Sequence, residues 1–227
     1  MPVGVVIPAL NEERHLPRIL EDVAQLAVAH DVVVVDGGSE DATVGVATRM
    51  GIRVLLAERG RAAQMNRGAT AVTGDWLCFL HADVRMPADA REALRDAIAR
   101  PDVNAAVWKL AVEGDGLWMR LVEAGARVRD RLAGLPYGDQ GLVIRRSLFE
   151  LVGGFPAVPI MEDVALARAV SRRTRLTRLP AALVASGRRW RREGPYRTWV
   201  RNAMLVTAYL AGAPPERLAR WYPPEPR

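Results

Sequence analysis

Four short stretches carry the residues best suited to chemistry: Asn11, Glu12 and Glu13 in IPALNEE, Asp36 in VVVVDGGSED, His81 and Asp83 in FLHADVRMP, and Glu162-Asp163 in MEDVALARAV. The first three groups follow directly on apolar runs, so each stands where a strand would end. Carboxylates gathered there can hold a divalent ion or accept hydrogen bonds from sugar hydroxyls and base nitrogens, whereas a bare carboxylate cluster repels phosphate. Glu162-Asp163 opens a helical pattern, where the helix dipole favours an ionised carboxylate, and one such group can serve as a general base. Each stretch also has a plainer reading. Asn11 or Glu12 starts a helix, Asp36 is a turn residue of DGGS, Asp83 caps a helix, and acidic residues are favoured in any first helical turn. Three acidic strand ends on one edge make a binding site the better combined reading.

The elements that must position these residues alternate along the first half. VGVVIP (3–8), DVVVVD (31–36), IRVLL (52–56), DWLCFL (75–80) and AAVWKL (105–110) are short and apolar on both faces, as a parallel sheet covered by helices requires. Between them lie helical patterns. One carries Leu16, Ile19, Leu20, Val23 and Leu26 and begins near Pro17; one is capped by Ser39 or Asp41 and stopped by Gly51; one, 86–101, is bracketed by prolines. The second half is less regular, with helical patterns at 117–133, 147–155 and 162–173, a strand at 141–146, and a last helix between Pro195 and Pro214. The fold class is α/β, a Rossmann-like, mostly parallel sheet flanked by helices. Ligands of such sheets bind beyond the carboxyl ends of the strands, near the point where strand order reverses.

The chain has 227 residues, 50% of them hydrophobic and 26% charged, enough for a folded core. Cys78, inside WLCFL, is its one cysteine and reads as a buried structural thiol, so no internal disulfide and no cysteine metal cluster can form. With three histidines, a metal site must lean on carboxylates, which suits magnesium or manganese better than zinc. The formal charge of +6 resides entirely in residues 187–227, where nine Arg face three Glu. The N-terminus lacks a basic start and a cleavage site, and no apolar run reaches the roughly 18 residues of a membrane span. A cytoplasmic protein is expected, with peripheral contact at the inner membrane face as a further option. DGGSED has neither the spacing of a dinucleotide fingerprint nor the Gly-Lys-Ser/Thr of a phosphate loop.

In order and spacing, VVIPALNEE, VVVVDGGSEDAT and FLHADVRMP resemble the nucleotide-sugar half of family-two glycosyltransferases with the GT-A fold, and MEDVALARAV and GRRW are similar to that family's acceptor-side motifs. The resemblance spans about residues 3–190. ERGRAAQMNRGATAVTGD with YGDQG is also similar to a small bacterial subgroup associated with arsenosugar biosynthesis. The resemblance implies a GT-A domain over 1–190 and, over 191–227, a basic helical extension packed on the domain, a partner subunit or a membrane surface. It implies a nucleotide-sugar donor, most simply a UDP-sugar, a small or lipid-linked hydroxyl acceptor, and a divalent metal ion, Mn or Mg.

Residue by residue, the resemblance places Pro8, Ala9 and Asn11 against uridine, Glu12 on ribose or base, and Asp36 on the uracil ring. Arg61 approaches phosphate or base at a helix start, with Gln64 and Asn66 on the same stretch; a solvated helix-end charge is the other reading of Arg61. The family's Asp-x-Asp pattern reads His81-Ala82-Asp83 here. Asp83 is then the metal ligand, while His81 is a softer ligand, a nucleotide contact, or turned away. Asp163 matches the base of an inverting displacement, beside Glu162. Asp139, with Gln140, meets sugar or acceptor hydroxyls, Arg189 neutralises the diphosphate and Trp190 stacks on the acceptor. Ser186 stands where the longer Gln-x-x-Arg-Trp motif has glutamine, which argues against a processive polysaccharide synthase. Two rivals remain: a sugar-phosphate nucleotidyltransferase, and a nonenzymatic module binding nucleotide sugars or nucleic acid.

Overall fold

A computed structural model describes residues 1–114, 123–125 and 138–222, with the side chains of Arg189, Trp190 and Pro195 outside the described set. Its strands are β1 (Val3–Ala9), β2 (Ala29–Asp36), β3 (Arg53–Leu56), β4 (Trp76–Phe79), β5 (Val84–Arg85), β6 (Ala105–Val112), β7 (Leu142–Arg145) and β8 (Thr177–Ala185). They form one sheet in the order β3-β2-β1-β4-β7-β6-β8-β5. β3, β2, β1 and β4 are parallel neighbours, β7 is antiparallel to both β4 and β6, β6 and β8 are parallel, and β5 closes the edge antiparallel to β8. The expected mostly parallel α/β sheet is therefore what the chain forms. Strand order reverses between β1 and β4, and both strands run toward the edge where Asn11, Glu12, His81 and Asp83 follow.

Apolarity on both faces fixes this arrangement. Along β1, Val3, Val5 and Ile7 join one core with Leu16, Ile19, Leu94 and Trp108, while Val6 points into a second core with Met65, Phe79, Phe149 and Leu166. The first core packs under the helices α1 (Leu16–Ala24) and α4 (Ala88–Ala99), and the second under α3 (Arg61–Ala71), α5 (Arg146–Leu151) and α6 (Glu162–Ser171); α2 (Thr43–Arg49) lies beside α1. Gly68 lets α3 settle on β1: a Cβ there would come 2.2 Å from Val6 Cγ1. Cys78 is fully buried in β4, as expected of a structural thiol, and burial drives its thiol pKa far up.

Two strands differ from expectation. β8 was not expected as a strand, because Pro180 and Arg178 interrupt its pattern. The structure puts Pro180 in a bulge, where Val107 pairs with Arg178 but Lys109 pairs with Ala182, and the rest of the strand alternates with Leu179, Ala181, Leu183 and Ala185 buried. β5 has only two residues, too few to show a period. The last helices are α7 (Arg188–Glu193), α8 (Pro195–Leu210) and α9 (Pro215–Ala219). The helix expected over 117–133 and the tail 223–227 lie outside the described residues, apart from 123–125. No helix among the described residues is long and apolar enough to cross a membrane.

Candidate active site

The loops after β1 and β2 are sewn together by their polar residues. Asn11 adopts a left-handed conformation (φ 56°), and its backbone N–H donates to Ser39 Oγ at 2.9 Å while its side-chain oxygen accepts from Glu40 N at 2.8 Å. Glu12 N donates to Thr43 Oγ1 (2.8 Å), Glu13 N to Asp41 Oδ2 (3.1 Å), and Ala42 N to Glu13 Oε2 (3.0 Å). Asp41 thus organises the start of α2 without being its N-cap, which is Ala42. Asp36 accepts from Gly38 N and Ser39 N at 2.9 and 3.0 Å and from the Ser39 hydroxyl. Its turn-forming role is real, and it shapes the loop that faces the crevice.

Gln64 and Asn66 work as framework. Gln64 Nε2 donates to Ala9 O and Val35 O, at 2.8 and 2.7 Å, and its side chain lies on Gly37. The ends of β1 and β2, including Pro8 and Ala9, are thereby tied to α3, whose first residue is Arg61. Asn66 exchanges two hydrogen bonds with the Phe155 backbone, 2.8 and 3.0 Å, which occupies both ends of its amide. Phe155 in turn packs against Phe79 and Phe149, with ring centroids 5.0 and 5.7 Å away.

Two clusters stand on this framework. In the first, Arg188 on α7 donates Nη1 to Glu12 Oε2 at 3.0 Å and Nη2 to Glu12 Oε1, and Nη2 lies 3.6 Å from Asp83 Oδ2. Ser186 N, just before α7, donates to Asp83 O at 3.0 Å, which fixes that helix beside the His81-Ala82-Asp83 turn. Glu12 is nearly buried, so the guanidinium offsets a carboxylate that water hardly reaches. Sequence reasoning missed Arg188 and chose its neighbour Arg189. Two consecutive arginines leave the inward one undecided until the helical phase after Ser186 is known. The side chains of Arg189 and Trp190 lie outside the described residues.

In the second cluster, Asp163 accepts from Gly138 N through Oδ2 and from Val164 N through Oδ1, both at 2.7 Å. A Cβ on Gly138 would be 2.5 Å from His81 Nε2 and 3.6 Å from Asp163 Oδ2, so the imidazole and the carboxylate flank the same glycine. His81 therefore faces the Asp163 side of the site and is not turned away. Asp139 sits half-buried in the 3₁₀ turn Gly138–Gln140, and Gln140 is buried, donating to Trp108 O at 3.1 Å. Met161 precedes α6 in a left-handed conformation (φ 68°) that aims Glu162 and Asp163 inward. Only 5% of Glu162 is exposed; burial first and the Asp163 charge second raise its carboxyl to about 7, with Arg61 pulling the other way.

A divalent ion suits this donor set in one particular way. Among the described residues no group of three His, Cys, Asp or Glu could hold an ion by itself. Asp83, with a partly exposed side chain, fits the mode in which magnesium or manganese takes one or two carboxylates and completes its shell with water and substrate phosphates.

The model of glycosyl transferase family 2 matches residues 4–155 of this chain. A curated relative, 4,4'-diaponeurosporenoate glycosyltransferase of Staphylococcus haemolyticus, is 32% identical over 107 residues, 43% of this chain and 28% of that protein. The chain thus spans less than a third of that relative's length. Among solved structures, S. aureus TarS 1-349 in complex with UDP-GlcNAc superposes with a TM-score of 0.64 at 19% identity, covering 82% of this chain and 58% of that one. Glucosyl-3-phosphoglycerate synthase from Mycobacterium tuberculosis, in complex with manganese, uridine diphosphate and phosphoglyceric acid, superposes with a TM-score of 0.63 at 20% identity, covering 99% and 80%. At these identities the likeness is one of fold.

Proposed function

Because the chain belongs to glycosyl transferase family 2, we propose that it is an inverting glycosyltransferase moving a sugar from a nucleotide-sugar, most simply a UDP-sugar, to a small or lipid-linked hydroxyl acceptor. The observation that carries this reading is the placement of the Glu12–Arg188–Asp83 cluster and the Asp163–Gly138–His81 cluster side by side across one turn, His81-Ala82-Asp83. The first, two carboxylates bridged by one guanidinium, keeps a net negative charge that suits a divalent ion, and the second supplies a base.

In this reading Pro8, Ala9, Asn11, Glu12 and Asp36 hold the base and ribose, and Arg61 approaches the phosphates. Asp163 takes the proton of the acceptor hydroxyl as the new C–O bond forms at the anomeric carbon. The bond to the diphosphate breaks on the opposite face, and its electron pair leaves with the diphosphate oxygen. Arg188 lies beside Asp83, where growing phosphate charge is offset. Asp83 would hold a divalent ion, which would supply further charge neutralisation at the leaving diphosphate. His81 and Asp139 face the transferred sugar or the acceptor, and Glu162 sets the field around Asp163. A donor from the uridine series is supported by neighbours solved with uridine diphosphate or UDP-GlcNAc.

Thermal-shift titration with nucleoside diphosphates and nucleotide sugars, with and without manganese or magnesium, tests the reading. A uridine nucleotide should raise Tm, and more so with the metal. A protein that no nucleoside diphosphate stabilises under either condition is not this enzyme.

A further inference from the structure

The C-terminal helices carry an apolar face turned outward. On a helix of 3.6 residues per turn, Tyr196, Trp199, Met204 and Leu210 lie within an arc of about 140° on α8, whereas Leu205 lies opposite that arc and is buried, and the buried Val206 borders it beside Trp199. The outward four are exposed by 64, 48, 58 and 43%, and Trp221, after α9, by 64%. Tyr196, Val200, Met204 and Trp221 line a groove of about 390 Å³ edged by Arg197 and Arg201. Arg191, Arg217 and Arg220 are exposed nearby, in the segment that holds the whole +6 surplus. Large aromatic and aliphatic side chains on a water-facing helix, bordered by arginine, mark an interaction surface.

We propose that this face docks on the surface of a bilayer containing anionic lipid. Aromatic rings and Met204 enter the headgroup and acyl boundary, while the exposed Arg191, Arg197, Arg217 and Arg220 meet lipid phosphates and Arg201 stays paired with Glu193, as in interfacial amphipathic helices. Charge complementarity selects this occupant. A second copy brought onto the same face by two-fold symmetry would set one arginine-rich segment against another. A nucleic-acid duplex would meet the arginines but leave the apolar face in water. α7 links this surface to the Glu12–Arg188–Asp83 cluster of the site, since Arg188 and Pro195 lie at opposite ends of one short helix and its following turn. The proposal goes beyond the glycosyltransferase reading and stands without it.

Co-sedimentation of the full chain with phosphatidylcholine vesicles, with and without phosphatidylglycerol, tests it. The protein should pellet with the anionic vesicles and stay in solution with the neutral ones, and raising salt from about 0.1 M to about 1 M should release it. Met204→Ser and Trp221→Ser should each weaken partitioning about ten-fold with Tm unchanged. Leu151→Ser, an exposed apolar residue on α5, should leave partitioning unchanged. Four outcomes overturn the proposal: no pelleting with anionic vesicles, equal pelleting with neutral ones, or variants that partition like the parent. The fourth is a vesicle-free dimer that Met204→Ser disperses.

Discussion

Asp163 and Glu162 are adjacent carboxylates in opposite circumstances. Asp163 is held by two backbone N–H groups facing the crevice, and Glu162 is buried behind it. Asp163→Asn keeps the shape and one acceptor oxygen but cannot take a proton, so turnover should fall about 10²–10⁴-fold while donor affinity, read by calorimetry, stays nearly unchanged. Equal loss of both would make Asp163 structural. For Glu162 the sign follows from linkage. Its folded pKa of about 7 lies above its ordinary value of 4.5, so the native state holds the extra proton between those values and stability falls as pH rises through that window. Glu162→Gln should flatten that fall and gain roughly 1–3 kcal/mol over the parent above pH 7, as chemical denaturation at several pH values would show. Arg188→Met strands a nearly buried Glu12, and a loss of about 3 kcal/mol together with weaker nucleotide binding is expected from the same measurements.

At the scale of elements, the helix that begins with Glu162 and Asp163 is placed by an aromatic knot. Phe79 ends β4, Phe149 lies on α5, and Phe155 leads into the loop before Met161; Phe79 and Phe149 approach to 5.2 Å and Asn66 holds the Phe155 backbone. Phe155→Ala should cost about 3–5 kcal/mol, and Asn66→Ala about 1–3 kcal/mol, with activity falling faster than stability because the loop leading into Glu162 and Asp163 loses its anchor. Much of this level was legible in advance. β1, β2, β4 and β7 are apolar on both faces and bounded by turn residues, so their period and length identify them. β8 was not legible, because Pro180 marks a bulge only once β6 is known to lie beside it. Among the candidate site residues, Asn11, Glu12 and Asp83 are legible because they follow strand ends, and Asp163 because it opens a helical pattern. The framework roles of Gln64 and Asn66, and the pairing of Arg188 with Glu12, depend on contacts between segments far apart in the chain.

For the whole molecule, two cores flank one sheet, and the four parallel strands β3-β2-β1-β4 make the half that faces the donor loops. The charge surplus is set apart on the C-terminal helices, so the molecule has an electrically neutral body and a basic, apolar-faced end. Cys78 lies at the centre of this body, in β4 between β1 and β7, fully buried. A thiol reagent cannot reach it without parting the sheet, so its labelling rate counts only openings that disrupt the whole fold. The chain thus carries its own clock for global unfolding. Any ligand of the native crevice should slow that clock by the factor one plus its concentration over Kd, so affinity for a candidate donor can be read from a colour reaction at one sulfur, with no turnover and no acceptor required.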